Sequence, residues 1–369
     1  MNFKDYIIFL CVLVSIIIVL TVSFIFLRRS QTKPLPVTEN VEVVPTMLDE
    51  LSSDSAWCPT FELVWKDMVR EVVKKDVIFN PQVKMAENLN KSTYNESMLS
   101  SEYYYKKYGL KTLELKKEIE KGIKDKFNQT SDILDDFDWS EDALNDPNNP
   151  DVNRYFFYTM LYREFKYEHE FSKLDNGKFN NKYEDVEYFG LKSDSSYKVR
   201  NQIKVLFYNS KDEFAVLINT KEGDEVILYK NPKGSTFESI YENLNEETKD
   251  FKGKVYLQDE DTFKAPIIKF NVKREYTEFQ NKPFETANPE YPIAEIMKAI
   301  QTIQFELDEK GGKVKSEAGI DIKNEAAMMP DETQIRYFEL DSTFALFLRE
   351  KGKEMPYLGV RIDDITKYQ

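Results

Sequence analysis

The chain has 369 residues, of which 41% are hydrophobic and 14% aromatic, so it can bury a sizeable core in one large domain or two ordinary ones. Its formal net charge of −14 argues against a nucleic-acid-binding protein, since such proteins carry a basic surface. Only two cysteines are present, Cys11 in an apolar run and Cys58 alone in the remainder, which excludes a disulfide within the remainder and a cysteine-based metal site.

The N-terminal residues 6–27 are apolar apart from a few hydroxyl groups. Roughly 20 such residues are enough to cross a bilayer as a helix. A cleaved signal peptide would be shorter and would end in a small-residue cleavage site, whereas Arg28 and Arg29 follow here. We therefore predict a transmembrane anchor at residues 1–29, a polar, proline-containing flexible tether at residues 30–55 and a folded domain at residues 56–369.

The charges flanking the anchor leave its orientation open. Arg28, Arg29 and Lys33 follow the apolar run, and only Lys4 and the terminal amine precede it. The positive-inside rule alone places the C-terminal domain in the cytoplasm, but long translocated domains override that rule.

Helical and extended patterns alternate in the first half of the domain. Apolar residues recur at helical spacing from Phe61 to Val73, which predicts an amphipathic helix. The other elements predicted before residue 130 are a short buried strand at 76–79 with Pro81 opening a helix, a tyrosine-rich helix at 96–108, a brief apolar strand at 110–115 and a helix at 118–127.

Strand patterns dominate the second half. The continuous apolar run at residues 155–162 predicts a central strand. Residues 203–208 and 214–218 flank a polar turn and predict a hairpin. The remaining predicted elements are strands at 226–229, 265–270, 302–308, 336–341, 344–349 and 357–362, and a helix at 237–244.

The stretch after the strand at 302–308 carries the most information about function. A Glu309-Lys310-Gly311-Gly312 turn is followed by small or apolar residues that alternate with mostly charged ones. This alternation fits either a strand with one buried face or a mobile loop, and residues 324–333 that follow look like an exposed loop. The small or apolar positions are Gly312, Val314, Ser316, Ala318, Ile320 and Ile322.

This combination of strand, glycine turn and alternating loop resembles the hinge and reactive-centre loop of the serpins. The segments at 105–133, 265–270 and 336–362 are similar to other serpin strands and helices. The resemblance implies an α+β fold with mixed β-sheets, helices packed around them and an exposed reactive-centre loop. Only residues 83–95 stand where the family has several helices and a strand, so the chain resembles a divergent, shortened, bacterial-type member with an N-terminal membrane anchor.

The resemblance implies a protease inhibitor, not an enzyme. In that family a serine or cysteine protease cuts the loop, which then inserts into the main sheet as a new strand and traps the protease. The hinge residues implied here are Glu309, Lys310, Gly311, Gly312, Val314, Ser316 and Ala318. Family spacing and composition give Glu325, Ala326, Ala327, Met328 and Met329 as candidates for the cleaved bond.

Some residues depart from the serpin pattern. Lys315 and Glu317 stand where the family has alanine, although both fall on the exposed face of the alternation. Phe157 and Gln301 replace an Asn and a His that pair across the family's main sheet. These departures favour an alternative, in which the chain is a non-inhibitory, membrane-anchored surface protein that binds a protein partner.

Residues typical of catalytic or metal sites are sparse. The single histidine, His169, cannot complete a histidine-rich zinc site, and no Ser–His or Cys–His motif surrounds it. Ser195 and Lys198 have the Ser-X-X-Lys spacing but lack the Lys-Thr-Gly that accompanies it in penicillin-binding enzymes. The acidic residues 135–149 lack the glycine of a calcium loop. We therefore expect no metal, no cofactor and no enzymatic activity.

The predicted partners follow from these assignments. We expect a target protease of the serine or cysteine type, a membrane reached through residues 6–27, no nucleic acid, and a monomeric chain. Because foreign proteases are met outside the cell, the serpin resemblance predicts a single-pass membrane protein whose C-terminal domain is extracellular.

Overall fold

The computed structural model describes residues 36–140, 153–315 and 335–369. No helix within these ranges is both long and apolar enough to cross a membrane. The predicted anchor at residues 6–27 lies outside them, as do Ser316, Ala318 and the candidates for the cleaved bond. Residues 37–369 form one compact unit whose core includes both sheet and helix residues, and we expect this part to fold on its own.

The fold is α+β, as predicted. Its α-helices within the described ranges are α1 (Thr60–Met68), α2 (Lys84–Lys91), α3 (Leu113–Phe127), α4 (Tyr197–Asn201) and α5 (Phe237–Asp250). A π-helical turn, Val69–Val73, extends α1. Short 3-10 turns lie at Glu96–Met98, Leu134–Asp136, Thr277–Phe279 and Ile365–Tyr368.

The strands are short and numerous. In chain order they are β1 (Glu42–Val44), β2 (Ser55–Trp57), β3 (Tyr104–Leu110), β4 (Tyr155–Leu161), β5 (Arg163–Lys166), β6 (Ser172–Lys173), β7 (Gly177–Phe179), β8 (Tyr183–Val186), β9 (Tyr188–Gly190), β10 (Ile203–Ser210), β11 (Glu213–Asn219), β12 (Asp224–Lys230), β13 (Thr262–Pro266), β14 (Ile268–Glu275), β15 (Pro283–Glu285), β16 (Ile293–Glu295), β17 (Ile300–Leu307), β18 (Gly311–Val314), β19 (Tyr337–Glu339), β20 (Phe344–Glu350) and β21 (Pro356–Ile362).

A seven-stranded sheet provides most of the core. Its order is β1-β2-β21-β20-β12-β11-β10, and the β10–β11 hairpin is the one predicted from the sequence. The central strands β12 and β20 are buried along nearly their whole length because both faces of the sheet are covered. Helix α5 packs on one face, where its Phe237 and Tyr241 rings contact Phe347.

A second sheet, which we call the main sheet, has the order β14-β17-β18-β5. Strand β18 is antiparallel to both neighbours, so β17 and β5 are parallel to each other. Strand β4 ends one residue before β5 begins and pairs along its length with β3. Helix α3 lies over β4, with Ile119 and Ile123 in the same hydrophobic cluster as Phe156 and Tyr158.

Two predictions between residues 96 and 115 are wrong. The predicted helix at 96–108 is a 3-10 turn followed by strand β3, and the predicted strand at 110–115 contains the start of α3. Strand β3 forms because its seven residues, three of them tyrosines, pair with β4. Helix α3 starts after Thr112, whose hydroxyl oxygen accepts a hydrogen bond from the Leu115 backbone N–H (3.1 Å).

The predicted strand at residues 76–79 has no strand partner among the described residues. Val77 and Phe79 are buried, and the Asn90 side chain bonds the Val77 backbone, donating to its carbonyl at 2.8 Å. Pro81 does not open a helix, because α2 begins only at Lys84.

The predicted tether extends less far than residue 55. Its second half contains β1 and the first residue of β2, which pair in parallel and bury Val43 and Val44. Asp54 is also buried and accepts hydrogen bonds from the backbone N–H groups of Asp363 and Asp364 at 2.9 and 3.0 Å. Asp363 and Asp364 lie at the far end of the chain, so the local composition of the tether does not reveal their contacts with Asp54.

Candidate functional site

The described part of the predicted hinge, residues 309–314, forms strand β18 and the tight turn before it. The Asp308 carboxylate accepts hydrogen bonds from the backbone N–H groups of Lys310 (2.8 Å) and Gly311 (3.2 Å), which reverses the chain after β17. Gly312 then pairs with Leu307 on one side and with Phe165 on the other. The hinge therefore begins as an inserted strand of the main sheet.

Both glycines are required by close backbone approach. A Cβ atom at Gly311 would lie 2.2 Å from the Phe165 carbonyl oxygen, and the residue has a φ of +154°. A Cβ atom at Gly312 would lie 2.9 Å from the Glu306 carbonyl oxygen and 2.5 Å from the Phe165 ring. Side chains at these positions would force β18 away from β5 or β17.

We expect Gly311→Ala to lower the free energy of unfolding by about 2–3 kcal/mol, because the clash is with backbone and cannot be relieved by a rotamer change. Gly109→Ala in β3 is the matched control, since its Cβ would lie 3.6 Å from the nearest Leu115 atom, an ordinary contact. Urea unfolding of both variants checks this. Equal stability of the two variants would show that β18 does not pack against β5 as described.

The end of β18 shows only part of the predicted alternation, because the side chains of Lys313 and Lys315, predicted to be exposed, are only 20% and 10% exposed. Val314 is fully buried, whereas Lys313 is only half-buried. The next residue, Lys315, contacts the segment that follows α3: its Nζ donates to the Asp132 carboxylate (2.8 Å) and to the Thr130 carbonyl oxygen (3.0 Å). Lys315, one of the departures from the serpin pattern, therefore holds the end of β18 against the segment that follows α3.

A groove continues from β18 between β4 and β17. Its volume is about 650 Å³, and it is lined on its two sides by β4 and by residues 290–302. Helix α1 forms the floor through Phe61, Trp65 and Met68. The groove is thus an apolar slot that runs along the main sheet in line with the hinge.

The two strands that border the groove each have one unpaired edge. Strand β4 pairs with β3 on its other edge, and β17 pairs with β14 over eight residue pairs. Strand β18 covers only Phe305 to Leu307 of β17, so the rest of the edge facing the groove has no strand partner among the described residues. Unpaired edges of this kind can accept an added strand.

Gln301 holds β17 to the floor of the groove. Its side chain is 3% exposed and makes three hydrogen bonds: its Nε2 donates to the Cys58 carbonyl oxygen (2.8 Å) and the Thr60 hydroxyl (3.1 Å), and its Oε1 accepts from the Tyr276 hydroxyl (2.7 Å). Phe157 on β4 stacks instead on Tyr108 of β3, with ring centroids 5.6 Å apart. The polar contact therefore joins β17 to α1, not to β4.

Helix α1 also carries a buried carboxyl group. Glu62 is 2% exposed, and burial raises its pKa to about 8 although the Ser92 hydroxyl and the Trp57 indole N–H (2.8 Å) both lie against it. A pKa of about 8 favours the protonated form of Glu62 at pH 7.

We expect Glu62 to make the domain less stable as the pH rises. Its folded pKa of about 8 exceeds the ordinary value, so the stability that it contributes is complete below about pH 4.5 and is lost as the pH approaches 8, by up to about 1.4 kcal/mol per pH unit. Glu62→Gln, which stays neutral, should be more stable than the parent at pH 8 by about 2–4 kcal/mol and similar to it near pH 4.5. Urea unfolding at several pH values tests this, with the exposed Glu114→Gln as control. If the free energy of unfolding changed with pH in the same way for the parent and for Glu62→Gln, the prediction would be contradicted.

The predicted hinge residues are only partly described. Glu309 is 8% exposed and lies at the turn beside the exposed Lys310 (3.3 Å between Oε1 and Nζ). Ser316, Ala318 and the candidates for the cleaved bond, Glu325 to Met329, lie outside the described residues, and their roles stay predictions. Sequence patterns did not indicate Asp132 or Thr130, because their contact with Lys315 joins segments more than 180 residues apart.

Comparisons with known proteins give similarity in structure only. No protein-family model matches the chain, and no curated protein matches it. The solved structures similar to it include Serpin48 of the insect Tenebrio molitor, 13% identical over 85% of this chain and 92% of that one with a TM-score of 0.43. Another is thyroxine-binding globulin in complex with thyroxine, 10% identical over 84% and 92% of the two chains with a TM-score of 0.42. A third is cleaved Serpin 42Da, 12% identical over 84% and 92% with a TM-score of 0.48.

Proposed function

We propose that the chain inhibits a serine or cysteine protease by loop cleavage and strand insertion. One observation supports this most strongly: β18 already lies between β17 and β5, and the groove continues from it between β17 and β4. A segment that follows β18 in the chain needs no change of direction to enter the groove. The inhibitor would be a monomer, held at the outer surface of a membrane by residues 6–27.

The side-chain pattern supports insertion. Val314 is buried at the end of β18, and successive strand residues point to opposite faces of a sheet. Ser316, Ala318, Ile320 and Ile322 would therefore point to the same side as Val314 in an extended continuation of β18. The charged residues between them would lie on the opposite face, under α3.

A non-inhibitory surface protein is the second candidate. The three hydrogen bonds of Gln301 hold β17 against α1, and the contact between Lys315 and Asp132 holds the end of the hinge against the segment after α3. The Lys315 backbone N–H donates to the Gln304 carbonyl oxygen of β17 (3.3 Å) at the same time, so the contact with Asp132 fixes the point at which the chain leaves β18. These contacts favour a protein that keeps its loop outside the sheet and binds a protein partner.

Mixing residues 36–369 with a panel of serine and cysteine proteases, followed by denaturing gels, tests the proposal. We expect a band at the summed mass that survives denaturation, and sequencing of the released C-terminal fragment would identify the cleaved bond. Ile320→Glu should yield cleavage without that band, because insertion would bring its carboxylate to the apolar side of the sheet. Lys323→Glu is the control on the opposite face. Cleavage of the parent without any stable band would favour the non-inhibitory candidate.

A further inference from the structure

Three cationic side chains line the groove at the end remote from the hinge. They are Lys111, Arg154 and Lys298. Lys111 follows the last residue of β3 by one position, Arg154 directly precedes β4, and Lys298 precedes β17 by two positions. They come from three separate segments of the chain.

The sheet topology brings these segments to one end of the groove. Strands β4 and β17 run in the same direction, so their first residues lie at the same end. Strand β3 is antiparallel to β4, which places its last residue, Leu110, opposite Tyr155. The Lys111 backbone N–H donates to the Arg154 carbonyl oxygen (2.7 Å), which joins two of the cationic residues directly.

The positive charge at this end is only partly neutralised by the described residues, of which the Asp138 carboxylate is near enough to Lys111 and Arg154 to interact with both electrostatically. No described carboxylate lies within ion-pair distance of Lys111 or Arg154, and Lys298 has only Glu275, 3.7 Å away. The Lys111 and Lys298 ammonium groups donate to backbone carbonyl oxygens of Asp138 and Asp136. Carboxylates also line the groove, but Asp132 pairs with Lys315 at the hinge end, and Glu290 and Glu295 are exposed.

The walls next to the cations are apolar and open to solvent. Tyr155 is 37% exposed, Ile293 59% and Met297 56%, and all three line the groove. Trp65 and Met68 lie on its floor. Large exposed apolar side chains that are contiguous with a cavity are typical of a ligand site.

We propose that the groove binds a single-chain amphipathic anion of the fatty-acid type. The carboxylate would lie among Lys111, Arg154 and Lys298, and the hydrocarbon chain would extend along the groove toward β18. An apolar channel with cations at one end is complementary to such a molecule in both shape and charge. The overall charge of −14 would repel anions, so these cations form a local exception.

Binding of the anion does not depend on the proposed inhibitory function. One consequence does rest on it: a hydrocarbon chain in the groove occupies the space that an inserted strand would need. The anion would then prevent insertion, and the protein would be cleaved without trapping its protease.

Calorimetric titration of residues 36–369 with dodecanoate tests the site. We expect saturable binding of dodecanoate, with dodecanol and dodecyltrimethylammonium each bound roughly tenfold more weakly or not at all. The variant Lys111→Gln/Arg154→Gln/Lys298→Gln should lose at least tenfold in dodecanoate affinity. The control Lys192→Gln/Lys198→Gln/Lys249→Gln removes the same charge at exposed positions outside the groove and should bind as the parent does.

The possible results separate the site from the inhibitory function. The proposed site would be contradicted if dodecanoate and dodecanol bound with equal affinity. It would also be contradicted if both triple variants lost the same amount of dodecanoate affinity. If the triple variant does not fold, the single variant Arg154→Gln replaces it in the dodecanoate titration. Dodecanoate binding that requires the three cations and persists after loop cleavage would support the site but contradict strand insertion. If dodecanoate binding disappears when the loop is cleaved, the result would support both the anion site and strand insertion.

Discussion

Cleavage of the loop within residues 324–329 is expected to raise the midpoint of thermal unfolding by at least about 10 °C. The cut would free the segment after β18 to enter the groove, where it would pair with the free edges of β4 and β17. Burial of Ile320 and Ile322 contributes about 1.5–3 kcal/mol each, and each new backbone hydrogen bond adds about 1 kcal/mol. Differential scanning calorimetry of residues 36–369 before and after limited proteolysis measures the shift.

Matched variants identify the cause of any rise in the midpoint. Ile320→Glu places a charge on the predicted buried face and should remove most of the rise. Lys323→Glu changes the exposed face and should leave the rise intact. An unchanged midpoint after cleavage of the parent would mean that the groove stays open, and the inhibitory proposal would fail.

Replacement of Arg163 by Met is expected to destabilise the domain by about 3–5 kcal/mol at pH 8. Arg163 is 1% exposed in β5, beside Val314 of the hinge, and its guanidinium lies 2.6 Å from the Asp224 carboxylate of β12. This ion pair joins the main sheet to the seven-stranded sheet. Without Arg163, the buried Asp224 carboxylate would keep only the Tyr357 hydroxyl (2.7 Å) as a side-chain donor.

The cost of losing Arg163 should depend on pH. Burial raises the pKa of Asp224 to about 6, and Arg163 opposes that increase. In Arg163→Met the folded pKa rises further, so the destabilisation is smaller at pH 5, where Asp224 is protonated, and grows as the pH increases. Urea unfolding at pH 5 and pH 8 measures the difference.

A double variant provides the internal control for this ion pair. Arg163→Met/Asp224→Asn removes the buried charge altogether and should recover much of the stability at pH 8. Glu184→Gln breaks the exposed Lys178–Glu184 pair and should not shift the unfolding curve. If the double variant were as unstable as Arg163→Met at pH 8, loss of packing, not the unpaired carboxylate, would explain the effect.

The sequence by itself determined the elements whose patterns are local and strong. The β10–β11 hairpin, helix α5 and the C-terminal strands β20 and β21 have periodicities that only one structure satisfies. A turn after β17 was also predicted, but both glycines belong to β18, where they allow close backbone approach rather than form the turn itself.

Tertiary contacts decided the rest. Residues 104–110 are tyrosine-rich and fit a helix as well as a strand, and pairing with β4, some 50 residues later, made them β3. Residues 42–57 form strands because β21, from the far end of the chain, pairs with β2. No local pattern encodes either contact, since each partner lies far away in sequence.

The existence and position of the groove could be seen only in the tertiary structure. The groove exists because β17 and β5 are held apart by the four residues of β18, while no strand formed by described residues lies between β4 and the start of β17. The convergence of Lys111, Arg154 and Lys298 follows from strand direction, which composition does not show. The sequence determined where apolar and charged residues alternate and where the chain turns. The pairing of distant strands determined that a free strand edge, the groove and the three cations lie at one place.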